Sequence, residues 1–436
     1  MHKNLIASLL LLSILYFSCS KSKQPNPQNN TSNAVKIELV SGSNQTDTVG
    51  RQLANFIVVK VTQNGAPLSG YQVQFQGSGC NNDRLDIGST KSDGTISYNW
   101  SLSGDVGPQT LKIYALKSQN VKVDSVTATS TGLAPGPGWH SSACSLQGFA
   151  IPTGFCKLTT GRLFVCYGGL GLRYSDDNGI SWNFVKSFGS KRNPEFVVSS
   201  PTDELFVFTQ LNGIFYSNDS GVTWTTLTIP PFGNIISAVY TPSGKLLVTN
   251  ISTVYTSLDK GKTWTSPVNK FSPPNSGGGS DTQISSPTED INGNLYVVGQ
   301  QSETIYKSID NGTTWTAIPR PNEFDFSLYI DNNNTFYKSR SDNPGGGIYI
   351  SKDNGATYTQ LISSPNAFLE NMSVQSDGNF YYNYLGQGVY MAKGISNSVK
   401  DLNNGQFNVP PPYIVAKNNN IIYADTGNGI IHYFTY

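Results

Sequence analysis

Five acidic residues recur in one setting along this 436-residue chain. Asp177, Asp219, Asp259, Asp310 and Asp353 each lie two residues after a serine and two before a glycine, with Ser or Thr at the fourth position beyond and an aromatic residue at the fifth. The copies read YSDDNGISW (174–182), YSNDSGVTW (216–224), TSLDKGKTW (256–264), KSIDNGTTW (307–315) and ISKDNGATY (350–358), so Trp182, Trp224, Trp264 and Trp315 close four of them. Carboxylates brought together in pairs perform general acid–base chemistry, and in clusters they hold cations. The company these aspartates keep suits a turn better. Asp accepts hydrogen bonds from the N–H groups of its own turn. Gly supplies a positive φ, and Trp buries a large face. Each box offers one shared carboxylate, so a structural role is expected, with no catalytic residue and no metal assigned to them.

Other chemistry is sparse. His2, His140 and His432 are the only histidines. They support neither a metal site nor a Ser-His-Asp order. The glycine runs at 277–279 and 345–347 lack the Lys-Ser/Thr continuation of a phosphate cradle, and no cofactor is expected. Of five cysteines, Cys80, Cys144, Cys156 and Cys166 have neither CxxC nor metal-ligand spacing. A symmetric hairpin about Gly161 would set Cys156 opposite Cys166 as a possible disulfide, with Cys144 competing for either.

The elements that must carry these residues are β-strands. Charged residues make up 13% of the chain, and no stretch beyond the first 18 residues sustains helical periodicity. Lys3 and the apolar run 5–17 form a targeting segment too short to span a membrane comfortably. It ends in Ser18-Cys19-Ser20, which resembles a bacterial lipoprotein signal, although Tyr16 stands where that pattern usually has Leu. The resemblance implies cleavage after residue 18, lipidation of Cys19 and a protein of the bacterial cell envelope, held to the membrane by lipid alone. Residues 19–33 are polar and rich in Asn and Pro, as expected of a flexible tether. Removing 1–18 leaves 28 basic against 28 acidic residues, and without a basic stripe nucleic acid is not an expected partner.

Six β-rich runs occupy 35–40, 56–62, 71–76, 95–102, 110–116 and 123–130, which suggests a sandwich over 34–131. The phrases TDTVG, VVKVTQNGAPLSGYQVQF and STKSDGTISYNWSLSGDVGPQTLKIYA resemble bacterial immunoglobulin-like modules of the invasin/intimin kind, which serve as spacers. A Pro/Gly linker follows at 132–138. Beyond it a turn-plus-strand phrase recurs seven times, with equivalent positions at Leu163, Leu205, Leu246, Leu295, Phe336, Phe380 and Ile421, at spacings of 42, 41, 49, 41, 44 and 41. Four strands per unit of this length make the blade of a propeller. The last unit stops at Tyr436 after its third strand, so residues near 139–145 are expected to supply the fourth and close the ring. The fold class predicted is all-β: an N-terminal sandwich and a seven-bladed propeller over 139–436.

The five boxes resemble the Asp-box of the sialidase-like propeller superfamily. That resemblance places the box at the hairpin between the third and fourth strands of a blade, on the rim opposite the usual ligand face. Ligands would meet the second-to-third-strand loops and the connections between blades. Those segments carry Arg192, Arg320, Arg340, Phe271, Phe324, Glu323 and Glu370, a set of forks and platforms suited to sugars or acidic groups. A sialidase needs three converging arginines and usually carries Phe/Tyr-Arg-Ile-Pro before its first box. No such string occurs here; Ile318-Pro319-Arg320-Pro321 has the wrong order and follows the fourth box. The sequence therefore favours a monomeric envelope protein that binds a glycan or another protein without catalysis. A sialidase-like glycoside hydrolase and an assembly scaffold for a membrane complex are the alternatives.

Overall fold

The computed structural model describes residues 34–77, 86–118, 121–141, 152–167, 171–189, 193–209, 213–227, 235–265, 271, 283–299, 302, 304–318, 325–340, 346–363, 369–374, 379–384, 388–393, 399–401, 414–417, 421–425 and 431–435. Cys19, Cys80 and Cys144 lie outside them. Every regular element described is a strand, and no helix among these residues is long and apolar enough to cross a membrane.

The N-terminal part holds two sheets. Val35–Ser41, Ile57–Gln63, Ala66–Pro67 and Thr95–Tyr98 form one; Gln45–Thr48, Gln72–Gly77, Asp86–Ser89, Gly107–Ser118 and Val121–Leu133 form the other. Alternation sets their shared interior: Ile57, Val59 and Val61 from the first meet Val73, Phe75, Leu111, Ile113 and Ala115 from the second, around Trp100 and Leu102. The expected run 95–102 is a strand only over Thr95–Tyr98, and Trp100 just beyond its end is 2% exposed. The strands Gln45–Thr48 and Asp86–Ser89 carry no apolar alternation, and only pairing with longer neighbours shapes them.

Among the described residues, seven further sheets follow Leu133. In the first, Pro152–Lys157, Leu163–Tyr167, Gly171–Ser175 and Asn183–Phe184 lie in sequence order, each antiparallel to the last. Sheets over 194–227, 288–317, 325–363 and 369–401 repeat this order; the sheet over 235–257 has three strands among the described residues. The second strands are buried at every position in the first, second and fourth of these sheets. Such continuous apolar runs, rather than alternating ones, belong to strands covered on both faces, and neighbouring sheets provide the cover. Phe164 and Cys166 meet Val197, Leu205 and Val207 of the next sheet, and Phe206 and Phe208 meet Leu246 and Val248 of the one after.

The last sheet contains Ile414–Lys417, Ile421–Asp425 and Ile431–Thr435, completed by Gly138–Ser141 from the other end of this region. The pairing Gly138↔Thr435 to Ser141↔His432 is the closure expected from residues near 139–145, one residue earlier than anticipated and shorter. It removes the open edge that a three-stranded terminal sheet would expose.

The hairpin carrying Cys156 and Cys166 departs from expectation. Cys156 pairs with Phe164 and Cys166 with Gly154, so the register is centred one residue before Gly161. The cause lies in the turn: Gly161 N–H bonds the Leu158 carbonyl and Leu158 N–H the Arg162 carbonyl, with Gly161 at φ +94° taking the last loop position. The two cysteines sit diagonally on one face as free thiols rather than as a disulfide. Burial pushes the Cys156 thiol up to about 12 and raises Cys166 well above its ordinary value, so both behave as apolar packing groups.

Candidate functional site

The sheets after the linker have two ends. The turns between first and second strands, and the boxes between third and fourth, lie at one end; the second-to-third loops and the sheet-to-sheet connections lie at the other.

At the box end the five copies fold alike. The serines Ser175, Ser217, Ser257, Ser308 and Ser351 are at most 2% exposed. Each donates its hydroxyl to the box aspartate's Oδ1 at 2.7–2.8 Å and accepts the box glycine's N–H at 2.7–2.9 Å. The Ser or Thr four residues beyond the aspartate returns its N–H to Oδ1 at 2.8–2.9 Å. Its hydroxyl donates to Oδ2. Both carboxylate oxygens are thus spent inside the turn. Hydrogen bonds from Thr223 hold Asp219 down at about 2, and those from Ser351 and Thr357 put Asp353 far below the usual carboxylate range. For Asp259 and Asp310 partial burial pulls upward, and the bonds from Thr263 and Thr314 outweigh it, so both are also lowered. A carboxylate held ionised by its own turn is a poor acid or base near neutrality.

Two details of the boxes were not legible beforehand. The residue before each glycine also adopts positive φ: Asn178, Ser220, Lys260, Asn311 and Asn354, at +57 to +62°. The indole N–H groups of Trp224, Trp264 and Trp315 bond back to the carbonyls of Gly221, Gly261 and Gly312 at 3.1–3.2 Å, so the ring latches its own turn while packing. Trp224 lies edge-on to Phe188, in the connection that follows the first sheet, at 5.1 Å, and Trp182 edge-on to Phe155 at 6.0 Å.

Other acids of this end, among the described residues, are likewise engaged. Glu204 takes the Tyr216 hydroxyl at 2.6 Å and Lys260 Nζ at 2.8 Å. Glu289 joins two sheets by accepting Lys245 Nζ at 2.7 Å and both the N–H and hydroxyl of Ser243, with the pair only 10% and 3% exposed. A cleft of about 320 Å³ between the first two boxes contains Arg162, already held in a fork by Asp176 at 2.6 and 3.0 Å. No group of three or more metal-ligating side chains occurs among the described residues.

The other end carries the residues expected to meet a ligand, and the outcome there is mixed. Phe271 is not an exposed platform. It is 1% exposed and packs against Tyr306 and Trp315 at centroid distances of 5.1 and 5.4 Å, with Val254, Ile284 and Val297 around it. It fills the seam beside the three-stranded sheet, where a large ring gains more from burial than from exposure. Arg340 ends the strand Phe336–Arg340, half-buried, with its guanidinium 5.1 Å from the Tyr349 ring. Glu370 lies on the strand Leu369–Val374. Arg192, Arg320, Glu323 and Phe324 fall outside the described residues.

Geometry adds a feature that sequence reading missed. The first strands of five sheets break register at the same place, one position in from this end: between Pro152 and Gly154, Pro194 and Phe196, Ile235 and Ser237, Asp325 and Ser327, and Leu369 and Met372. Bulges re-aim side chains and cluster at barrel rims and beside binding sites. They put Thr153, Glu195 and Ile236 at equivalent positions, along with positions 326 and 370–371. Burial raises the Glu195 carboxyl above its ordinary range, the opposite of what the boxes do to theirs. An extra residue in a strand leaves no mark in apolar patterning, so only pairing could reveal it.

No family model matches the sequence, and no curated protein matches it. Solved structures do resemble it. YCF48 from Cyanidioschyzon merolae superposes with a TM-score of 0.55 at 14% identity, over 68% of this chain and 98% of that one. YCF48 bound to D1 peptide gives 0.54 at 13%, over 70% and 98%. A catalytically inactive virginiamycin B lyase from Staphylococcus aureus with Quinupristin gives 0.51 at 15%, over 68% and 99%. The extracellular domain of a putative one component system, BT4673 from B. thetaiotaomicron, gives 0.51 at 16%, over 68% of this chain and 39% of that one. At such identities the likeness speaks to fold: the chain has a β-propeller-like architecture.

Proposed function

We propose that this protein is a bacterial envelope lipoprotein whose propeller binds a ligand at the loop end without turning it over. In this reading, residues 1–18 are a signal peptide, Cys19 carries lipid and 19–33 are a tether. Residues 34–131 form an immunoglobulin-like spacer, 132–138 a linker, and 139–436 a seven-bladed Asp-box propeller that acts as a monomer. The observation that carries it is the contrast between ends: every box carboxylate is consumed by its own turn, whereas the first strands of five sheets are bulged at the opposite end. The ligand surface comprises Glu195 and Glu370 with Arg192, Arg320, Arg340, Glu323 and Phe324.

A segment of another envelope or extracellular protein is the first candidate ligand, since a solved YCF48 is bound to a peptide. A glycan is the second. Peptide and glycan arrays probed with the full chain separate them, and signal on either should fall at least tenfold in Glu195→Gln or Arg320→Ala, the loss typical of a central contact. Hydrolysis of a fluorogenic sialoside that disappears in Arg320→Ala would overturn the non-catalytic reading in favour of a glycoside hydrolase.

A further inference from the structure

One box is unlike the other four in what covers it. The three residues closing each box run exposed, exposed, half-buried in the second to fifth copies: Val222-Thr223-Trp224, Lys262-Thr263-Trp264, Thr313-Thr314-Trp315 and Ala356-Thr357-Tyr358. In the first copy Ile180 is half-buried, Ser181 is 7% exposed and Trp182 is 1% exposed. Part of the cover comes from the N-terminal sandwich. Gly104, at the tip of a loop and yet buried, lies so close to the first box that a Cβ placed on it would fall 2.0 Å from Asp177 Oδ2, 2.5 Å from Cγ and 2.9 Å from Cβ. Glycine is needed here for close approach, and the three nearest atoms all belong to the other half of the protein.

The loop that bears Gly104 is built to be stiff. Gln109, 3% exposed, accepts the Ser103 N–H at 2.8 Å and donates to the Asp105 carbonyl at 2.6 Å. Ser103 and Asp105 bond each other through their side chains at 3.1 Å. The loop leads into Gly107, which pairs with Gly132 immediately before the linker. It therefore stands at the linker end of the sandwich.

Strand order explains why the first box is the one reached. Ile421 pairs with Thr435 as Leu163 pairs with Ser175, so Thr435 occupies the register of a box serine. Gly138 pairs with Thr435. The linker thus enters the last sheet where its box would have been, on the strand Gly138–Ser141 that precedes the first sheet in the chain. Four residues, Ala134-Pro135-Gly136-Pro137, separate Leu133 from Gly138, and His140 Nε2 meets the Gly136 carbonyl at 2.7 Å. Two prolines in so short a span limit the swing of the sandwich.

We propose that the first box is a docking surface for the sandwich: the Ser103–Asp105 loop seats on Asp177, and the two halves move as one body. The loop end then points away from the sandwich. This last consequence rests on the loop-end reading above; the docking itself does not.

Hydrogen exchange and small-angle scattering on the full chain test it. In the wild type the box amides of Gly179 and Ser181 should exchange roughly tenfold or more slowly than those of Gly221 and Thr223 or Gly261 and Thr263. In Gly104→Ala, and more so in Gly104→Trp, the first box should lose that excess while the other boxes keep their rates, and the scattering radius should grow. Unchanged exchange along Ile57–Gln63 marks a sandwich that is still folded; if the tryptophan unfolds it, the alanine variant gives the answer. A first box that exchanges like the others in the wild type overturns the proposal. So does a folded Gly104→Ala whose first-box exchange and scattering match the wild type. Neither result touches ligand binding, which the arrays measure separately.

Discussion

The box end and the loop end of the propeller-like half share the same strands but use polar residues in opposite ways. At the box end five turns repeat one hydrogen-bond plan, and Asp219, Asp259, Asp310 and Asp353 are lowered by it. At the loop end the strands are irregular, and Glu195 is raised by burial. The lesson is that an abundant, regularly spaced carboxylate is more informative about architecture than about chemistry. A group whose charge is satisfied locally stabilises; one whose charge is penalised is available for a ligand that would relieve it.

The comparison can be broken most severely through the buried pair at the box end. Glu289→Leu leaves Lys245 charged and nearly enclosed, and should cost about 3–5 kcal/mol in denaturant unfolding. The Lys245→Met/Glu289→Leu double variant should recover most of it. A single-variant loss below about 1 kcal/mol would mean that the seam is wetter than its burial implies. Next, Phe271→Ala should cost about 3–4 kcal/mol as a large core ring removed from the Tyr306–Trp315 seam. If it instead leaves stability intact and weakens ligand binding, Phe271 belongs to the ligand surface after all. A smaller loss, about 1–2 kcal/mol, is expected for Asp310→Ala, which strips the acceptor from the Ser308 and Thr314 hydroxyls.

The smallest effects carry the sharpest sign. Asp310 is lowered in the folded protein, so its contribution is present above the unfolded carboxyl value, near 4, and fades as pH falls through the lower folded value. Asp310→Asn should therefore melt below the wild type at pH 7, with the gap closing at acid pH. Glu195 is raised, so its ionised form weighs against the fold once pH exceeds the raised value, while below about pH 4 it costs nothing. Glu195→Gln should melt slightly above the wild type at pH 7 and level with it near pH 4. Equal signs in the two melting series would remove the distinction between the ends.

Much of the architecture was legible because it is local and repeated. The boxes read as turns from Asp, Gly and Trp at fixed offsets, and the second-strand phrases read as strands covered on both faces. The closing strand followed from counting three strands in the last unit. The failures share one physical origin: each depends on which residue meets which across space. Cys156 and Cys166 look symmetric about Gly161, but a glycine at the end of the turn moves the register by one. Phe271 looks exposed in a Pro/Ser/Gly-rich insertion, and a seam beside a three-stranded sheet takes it in. The first-strand bulges have no sequence signature.

By itself the sequence determined an all-β chain whose repeated turns close on themselves, because backbone angles and short-range hydrogen bonds depend on residues only a few positions apart. Tertiary structure decided which of those turns stays exposed, which is covered through Gly104, and where a carboxyl is raised rather than lowered. Those outcomes depend on desolvation and close contact between segments tens of residues apart, and no local pattern encodes either.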